Sequence, residues 1–268
     1  MPTLTVDGRT VTVREGAFVL EAARAAHVDI PTLCHHDAVE PYGGCRLCVV
    51  DVTRKDWDGW CKLVVACLFP AEEGLIVMTD TPRVMNVRKV VLDLLLARSP
   101  ETPLIRDLAA RYGIMKTSYV ENPEPTDCIL CGLCTRICDT LGPSAIASVN
   151  RGVGREIAPP FSEPPADCVG CLACAYVCPT GYIPFESSDR HRVIWNKAFD
   201  MLRCPDCGRA HITMAQADFF SARNGVPRSD HCRIRSAAPG SGEFSCTRTP
   251  SMSVSQHSTS PRLLMGEA

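Results

Sequence analysis

The chain has 268 residues, room for about two domains of ordinary size, and 17 of them are cysteine. Basic and acidic residues nearly balance, 28 Lys and Arg against 30 Asp and Glu, and without a long basic run to meet phosphates a nucleic-acid partner is not expected. The longest strongly apolar stretch, 90–97, is interrupted by Asp93 and falls far short of the ~20 residues that cross a bilayer. The opening MPTLTVDGRT has no basic segment followed by an apolar one, so a secretory signal is not expected, and the thiols read as reduced ligands of a cytoplasmic protein rather than as disulfides.

In chain order, LTVDG and RTVTV alternate polar and apolar and meet at Asp7 and Gly8, a two-residue hairpin signal. FVLEAARAAHV carries apolar residues at helical spacing, and Pro31 closes it. CVVDV, LVVAC and LIVMT are rich in β-branched residues and read as strands, so residues 1–81 are expected to form a small α+β domain. Residues 82–120 read as a helical linker. RVMNVRKVVLDLLLARS places Val84, Val87, Val91, Leu94 and Leu95 on one face, a core or docking stripe. Pro100 and Pro103 break that pattern, and LIRDLAARYG suggests a short helix stopped at Gly113. ENPEPTD leads into a cysteine-dense unit, 121–190. Residues 191–235 are expected as a small cysteine-containing helical extension, with Thr213 and Gln216 at capping-box spacing and Gly225 past the last turn. Residues 236–268, rich in serine, threonine, proline and glycine, are expected to be a disordered tail.

The dense unit holds one spacing twice: Cys128, Cys131, Cys134 and Cys138, then Cys168, Cys171, Cys174 and Cys178. This is the bacterial ferredoxin run, in which three thiolates clasp one [4Fe-4S] cube and the fourth reaches the cube of the other run. Cys128, Cys131, Cys134 and Cys178 are therefore expected to hold one cluster, and Cys168, Cys171, Cys174 and Cys138 the other. Iron at sulfide-bridged sites prefers soft thiolates, and short loops aim backbone N–H groups at the sulfurs. Zinc, usually held by two separated CxxC pairs in a tetrahedron, fits this stoichiometry less well. Nearer the N-terminus, Cys34, Cys45 and Cys48, with Cys67 or Cys61, supply the four thiolates of a [2Fe-2S] cluster; a mixed site using His35 or His36 is the competing arrangement. Arg46 lies inside that loop, where it would offset cluster charge. In the extension, Cys204 and Cys207 look like a zinc knuckle, with Cys232 and His231 as candidate partners and His211 and Cys246 as further options; a knuckle without metal and another cluster are the alternatives.

The segments PTLCHHDAVEPYGGCRLCVVDV, RKVVLDLLLARSP, NRGVGREIAPPF and CVGCLACAYVCPTG together resemble the iron-sulfur electron-transfer subunits of NADH-linked oxidoreductases. The resemblance, over roughly residues 1–190, is to the front of the large complex I iron-sulfur subunit and to the diaphorase small subunit of NAD-reducing hydrogenases. Similar segments head cytoplasmic NAD-dependent formate dehydrogenases and some iron hydrogenases. It implies a β-grasp [2Fe-2S] ferredoxin domain at residues 1–81 with Cys34, Cys45, Cys48 and Cys67 as ligands, followed by a two-[4Fe-4S] ferredoxin domain at 121–190. It further implies partner subunits that bind flavin and NAD and that carry a catalytic metal. Many members hold another cubane, on one histidine and three cysteines, just after the linker helix. Ser99 stands near the expected histidine and no cysteine precedes Cys128, so that cluster is expected to be missing. Asp139 also departs from the family, where a proline is common; Pro179 keeps the pattern in the other run.

No dinucleotide loop occurs, since Ile157 stands where a third glycine would follow Gly152 and Gly154, and there is no P-loop. Each cubane has a full set of thiolates, which leaves no open iron for substrate chemistry. The expectation is an electron relay with no catalytic site of its own, set between a flavin/NAD(P)H subunit and a catalytic metal subunit. A free multi-cluster ferredoxin and a zinc-dependent interaction module are the alternatives.

Overall fold

A computed structural model of the chain describes residues 1–232; the tail expected over 236–268, Cys246 included, lies outside the described residues. Strands β1 (Thr3–Val6) and β2 (Arg9–Thr12) form the antiparallel hairpin. Asp7 at φ 44° and Gly8 at φ 80° supply its left-handed turn, which matches the twist of the strands it joins. Helix α1 (Val19–Ala25) follows, then β3 (Val49–Arg54), β4 (Lys62–Val65) and β5 (Leu75–Met78). The sheet order is β2-β1-β5-β3-β4, with β5 parallel to β1 and antiparallel to β3. Alternation along the strands gathers Leu4, Val6, Val50, Val52, Leu75 and Val77 with Val19, Leu20, Ala22 and Ala23 of α1 in one core. Burying an aliphatic side chain of this size contributes about 1.5–3 kcal/mol. A helix laid across a mixed sheet is the β-grasp arrangement.

The opposite face of β3 is covered by α2 (Pro82–Arg98). Thr81 caps this helix, accepting from the Val84 amide at 3.2 Å while its hydroxyl donates to buried Asp51 at 2.6 Å. The buried stripe differs from the expected one. It runs through Val84, Arg88, Leu92 and Leu96, while Val90 and Leu94 are half exposed. This i, i+4 series passes through a charged residue, so apolar spacing alone does not reveal it. The Arg88 guanidinium is buried and donates to the Val49 carbonyl at 2.8 Å, which offsets the cost of desolvating it. Helix α3 (Pro103–Arg111) folds back so that Ile105, Leu108 and Ala109 meet Leu92 and Leu96; its chain turns at Gly113, φ 79°.

Helix α4 (Leu133–Leu141), the short pair β6 (Ala147–Val149) and β7 (Glu156–Ala158), and α5 (Ala173–Tyr176) build the cysteine-dense unit. Helices α4 and α5 each open on a left-handed residue, Gly132 at φ 71° and Leu172 at φ 65°. Around seven of the eight cysteines of the two runs, all but Cys171, pack Leu133, Ile137, Ile146, Ile157, Leu172 and Ile183.

The extension is mainly sheet, not helix. Strands β8 (Phe185–Ser187), β9 (His191–Ile194), β10 (Lys197–Arg203) and β11 (Ala210–Thr213) pair in the order β11-β10-β9-β8, and α6 (Met214–Asn224) follows. The β9–β10 turn is made by Trp195 and Asn196 at φ 53° and 58°; without Gly or Pro, Asn196 alone is its turn signal in the sequence. Thr213 caps α6 by accepting from the Gln216 amide at 3.0 Å. The reciprocal half of the expected capping box is not made, and the Gln216 side-chain oxygen is buried with no partner. Gly225 ends the helix at φ 62°.

Candidate iron-sulfur sites

The N-terminal loop between α1 and β3 brings Cys34, Cys45 and Cys48 to Cys67, which follows β4. The Cys45 amide donates to the Cys34 sulfur at 3.3 Å, and the Cys34 and Cys45 thiols hydrogen-bond to each other, as do those of Cys48 and Cys67. These pairings split the thiols. Cys45 accepts and is held down at about 5, while Cys34 donates and is pushed up; Cys48 is likewise raised and Cys67 lowered. Amides of Gly44, Leu47 and Gly43 point at Cys34, Cys45 and Cys67 respectively. Gly43 is required here: it has φ 66°, and a Cβ would fall 2.4 Å from a Leu68 methyl and 4.0 Å from the Cys67 sulfur. Cys61 lies apart, its thiol directed at the Gly59 carbonyl at 3.8 Å. His35 Nε2 approaches Asp37 at 3.3 Å while its Nδ1 is buried without a partner, and His36 accepts from the Ala38 amide at 3.1 Å through Nδ1. Arg46 is exposed, at φ 59°.

In the dense unit the two runs interleave. An apolar cavity is lined by Cys168, Cys171 and Cys174 together with Cys138 of the other run, and walled by Ile146, Leu172, Ile194 and Trp195. Cys128, Cys131 and Cys134 each feel the charge of Cys178, while Cys168 and Cys174 feel that of Cys138. Burial is the main cause at Cys128, Cys131, Cys134, Cys138, Cys168 and Cys174, pushing Cys131 up to about 11 and Cys134 and Cys174 up to about 12. These six thiols stay protonated at neutral pH when free, and a cationic metal core is what would make thiolates of them. The Ala145 amide donates to the Cys138 sulfur at 3.3 Å, and amides of Leu130, Leu133 and Gly170 point at Cys128, Cys131 and Cys168. The indole nitrogen of Trp195 is buried in the cavity wall and directs its N–H at the Cys174 sulfur, which favours the thiolate. A donor aimed into a thiol-lined apolar cavity fits a sulfur-rich guest.

Several side chains tie these sites together. Arg136, on α4 between Cys134 and Cys138, donates to the carbonyls of Cys34 and Glu40, both at 2.7 Å, and stacks on Tyr42 with 5.1 Å to the ring centroid. Leu33, Leu47, Leu92, Leu96 and Ile129 form one apolar cluster against which Cys45 and Cys131 both pack. Arg98, at the end of α2, donates to the Cys128 carbonyl at 2.8 Å. On the other side, Lys197 places its ammonium on the carbonyls of Pro165, Ala166 and Cys168 at 2.6–3.0 Å, and Arg192 donates to the Gly170 carbonyl at 2.8 Å. Sequence reasoning does not find Arg136, Trp195 or Lys197. Only the position of Arg136 inside a ligand run could flag it; the other two carry no local signal. Near the position of the family's histidine ligand, Ser99 is buried with its hydroxyl unpartnered, and nearby Thr102 donates to Asp127 at 2.6 Å.

In the extension, the sulfurs of Cys204, Cys207 and Cys232 lie within 4.8 Å of one another, and ligand atoms of Cys204, Asp206 and His231 form an overlapping group. His211, the other histidine considered, has both ring nitrogens buried without a hydrogen-bond partner and joins neither group.

Residues 1–82 match the family described as a 2Fe-2S iron-sulfur cluster binding domain. Over 237 residues the chain is 32% identical to the NADP-reducing hydrogenase subunit HndD of Solidesulfovibrio fructosivorans, an alignment covering 77% of this chain and 39% of that one. Over 265 residues it is 29% identical to an NADH-quinone oxidoreductase subunit from Rhizobium meliloti, covering 85% of this chain and 30% of the relative. The matched region thus spans well under half the length of these relatives. A crystal structure of NAD+-reducing [NiFe]-hydrogenase in the H2-reduced state superposes with a TM-score of 0.58 at 28% identity, covering 68% of this chain and 86% of that one. The chain is therefore an iron-sulfur protein with an N-terminal 2Fe-2S domain, homologous to subunits of NAD(P)-linked hydrogenases and NADH-quinone oxidoreductases.

Proposed function

We propose that the chain is the electron relay of an NAD(P)H-linked oxidoreductase complex, with one [2Fe-2S] cluster on Cys34, Cys45, Cys48 and Cys67 and two [4Fe-4S] clusters in the dense unit. Cys128, Cys131, Cys134 and Cys178 hold the first cubane, and Cys168, Cys171, Cys174 and Cys138 the second. The observation that carries this reading is the cavity in which Cys138 crosses from its own run to line the pocket of the other three. Bound there, the clusters supply one-electron redox chemistry.

The chain's own residues set the terms for that chemistry. Amide N–H groups and the Trp195 indole face the sulfurs and stabilise added negative charge. Apolar walls exclude water, which makes the fixed charges of Arg98, Arg136, Arg192 and Lys197 count for more than they would in solvent. The shared apolar cluster under Cys45 and Cys131 brings the N-terminal site and the first cubane site onto one rigid support. The partners are a flavin-bearing NAD(P)H subunit and a catalytic metal subunit of a hydrogenase, formate dehydrogenase or related enzyme, and the setting is the cytoplasm. No helix among the described residues is long and apolar enough to cross a membrane.

Anaerobic purification tests the proposal. About ten iron atoms and as many acid-labile sulfides per chain are expected, together with a copurifying flavoprotein through which NAD(P)H bleaches the cluster absorbance. Iron near two per chain, or full clusters on a chain that elutes alone and that no pyridine nucleotide reduces through a partner, would count against the relay.

A further inference from the structure

We propose that Cys204, Cys207 and Cys232, with His231 as fourth donor, hold a zinc-class divalent cation that fastens the β8–β11 sheet over the loop from Cys168 to Cys174. Neither the electron relay nor the twelve cluster thiols require this site. The three sulfurs are gathered at the spacing a tetrahedral metal site needs. Ligands about 2.3 Å from a central zinc stand about 3.8 Å from one another, and the Cys207 and Cys232 sulfurs are 3.7 Å apart. Cys204 and Cys207 are both buried and flank a tight turn closed by the Gly208 amide donating to the Cys204 carbonyl at 2.8 Å, with Gly208 at φ 70°. Amides of Asp206, Cys207 and Cys232 converge on the Cys204 sulfur, an arrangement that favours a thiolate ligand.

The fourth donor comes from the overlapping group: His231 lies within ligand reach of Cys204 and Asp206 but is not grouped with the Cys207 and Cys232 sulfurs, so its ring must turn toward them to complete the shell. His231 Nδ1 is 2.8 Å from the Asp206 carboxylate. A carboxylate on one ring nitrogen fixes the ring and leaves the other nitrogen as the donor, the relation commonly found behind metal-bound histidines. Three thiolates and one imidazole suit zinc and fall short of the four thiolates of an ordinary iron-sulfur cluster.

The site lies where it can hold the sheet closed. It joins the end of β10 to the start of β11 and, through Cys232, pins the segment after α6 back to that turn. Those strands cover the second cubane loop: Thr213 donates to the Val169 carbonyl, Lys197 to that of Cys168, and Phe199 packs so closely that a Cβ on Gly170 would meet its ring at 2.8 Å. The fastening rests on reading Cys138, Cys168, Cys171 and Cys174 as cluster ligands; the metal site does not.

The test is elemental analysis and zinc-edge X-ray absorption on the anaerobically purified full chain. About one zinc per chain is expected, in a shell of three sulfurs at about 2.3 Å and one nitrogen at about 2.0–2.1 Å. Full iron with no zinc, or a shell of four sulfurs, overturns the site as proposed. In the paired variant Cys207→Ser with Cys232→Ser, zinc should fall by at least about tenfold. The N-terminal and first cubane signals should persist while the second cubane decays several-fold faster in air. An unchanged decay rate with zinc gone overturns the fastening. If the variant does not fold, the wild-type zinc shell still decides the metal, and a chelator that removes zinc from the wild type replaces the variant in the decay measurement.

Discussion

The two cysteine runs have the same spacing but different surroundings. The first, Cys128 to Cys138, is backed by the N-terminal half: Arg98 holds the Cys128 carbonyl, Ile129 enters the linker core, and Arg136 reaches over to the Cys34 carbonyl. The second, Cys168 to Cys178, is roofed by the C-terminal sheet, with Trp195, Lys197, Arg192 and Thr213 closing on its loop. Ligand spacing sets which cluster can bind. The neighbours set how it differs from its twin, and here each twin is built into a different part of the chain.

The largest expected effect that separates the twins is Cys178→Ala. It should abolish the first cubane while the second survives, although Cys178 belongs to the second run; iron analysis with electron paramagnetic resonance reads this directly. Next comes Arg136→Ala, which removes two charged hydrogen bonds and a ring contact between the halves. A loss of about 2–3 kcal/mol in stability is expected, with slower electron transfer between the N-terminal site and the first cubane and little change at the second. Arg136→Lys should recover only part, since an ammonium cannot reproduce the planar fork; calorimetry and freeze-quench spectroscopy check both. Lys197→Met takes a cation from beside Cys168, so the potential of the second cubane should fall while the first holds steady in a redox titration. The smallest effect is expected for Asp139→Asn. This exposed carboxylate raises the neighbouring Cys138 thiol through its charge, and removing it should raise the potential of the second cubane. An unchanged potential would remove Asp139 from the account.

The legibility of the fold follows the same division. The hairpin at Asp7 and Gly8, the helix before Pro31 and the three β-branched strands all follow from local pattern, because in a two-layer domain the buried face imposes a strict period. The stripe on α2 does not, because Arg88 occupies a core position, and its satisfaction by the Val49 carbonyl is a long-range contact that no periodicity reveals. The C-terminal sheet is hidden because its strands are short or polar and its central turn is Trp195–Asn196. The candidate ligands are the part that the sequence marks most plainly, since soft thiolates at fixed short spacings have few other uses. Only resemblance separates Cys67 from Cys61 in the sequence, and the structure brings Cys67 to Cys48 while Cys61 faces Gly59. Trp195 and Lys197, which stand beside the second run, come from a distant strand and turn and become visible only once the chain is folded.

The crossing of Cys138 is tested by iron and sulfide content with electron paramagnetic resonance of anaerobically reduced Cys138→Ala. The signals of the N-terminal cluster and of the cubane on Cys128, Cys131, Cys134 and Cys178 should remain while the other cubane is lost. Loss of the cubane held by Cys128, Cys131 and Cys134, with the one on Cys168, Cys171 and Cys174 intact, would contradict it.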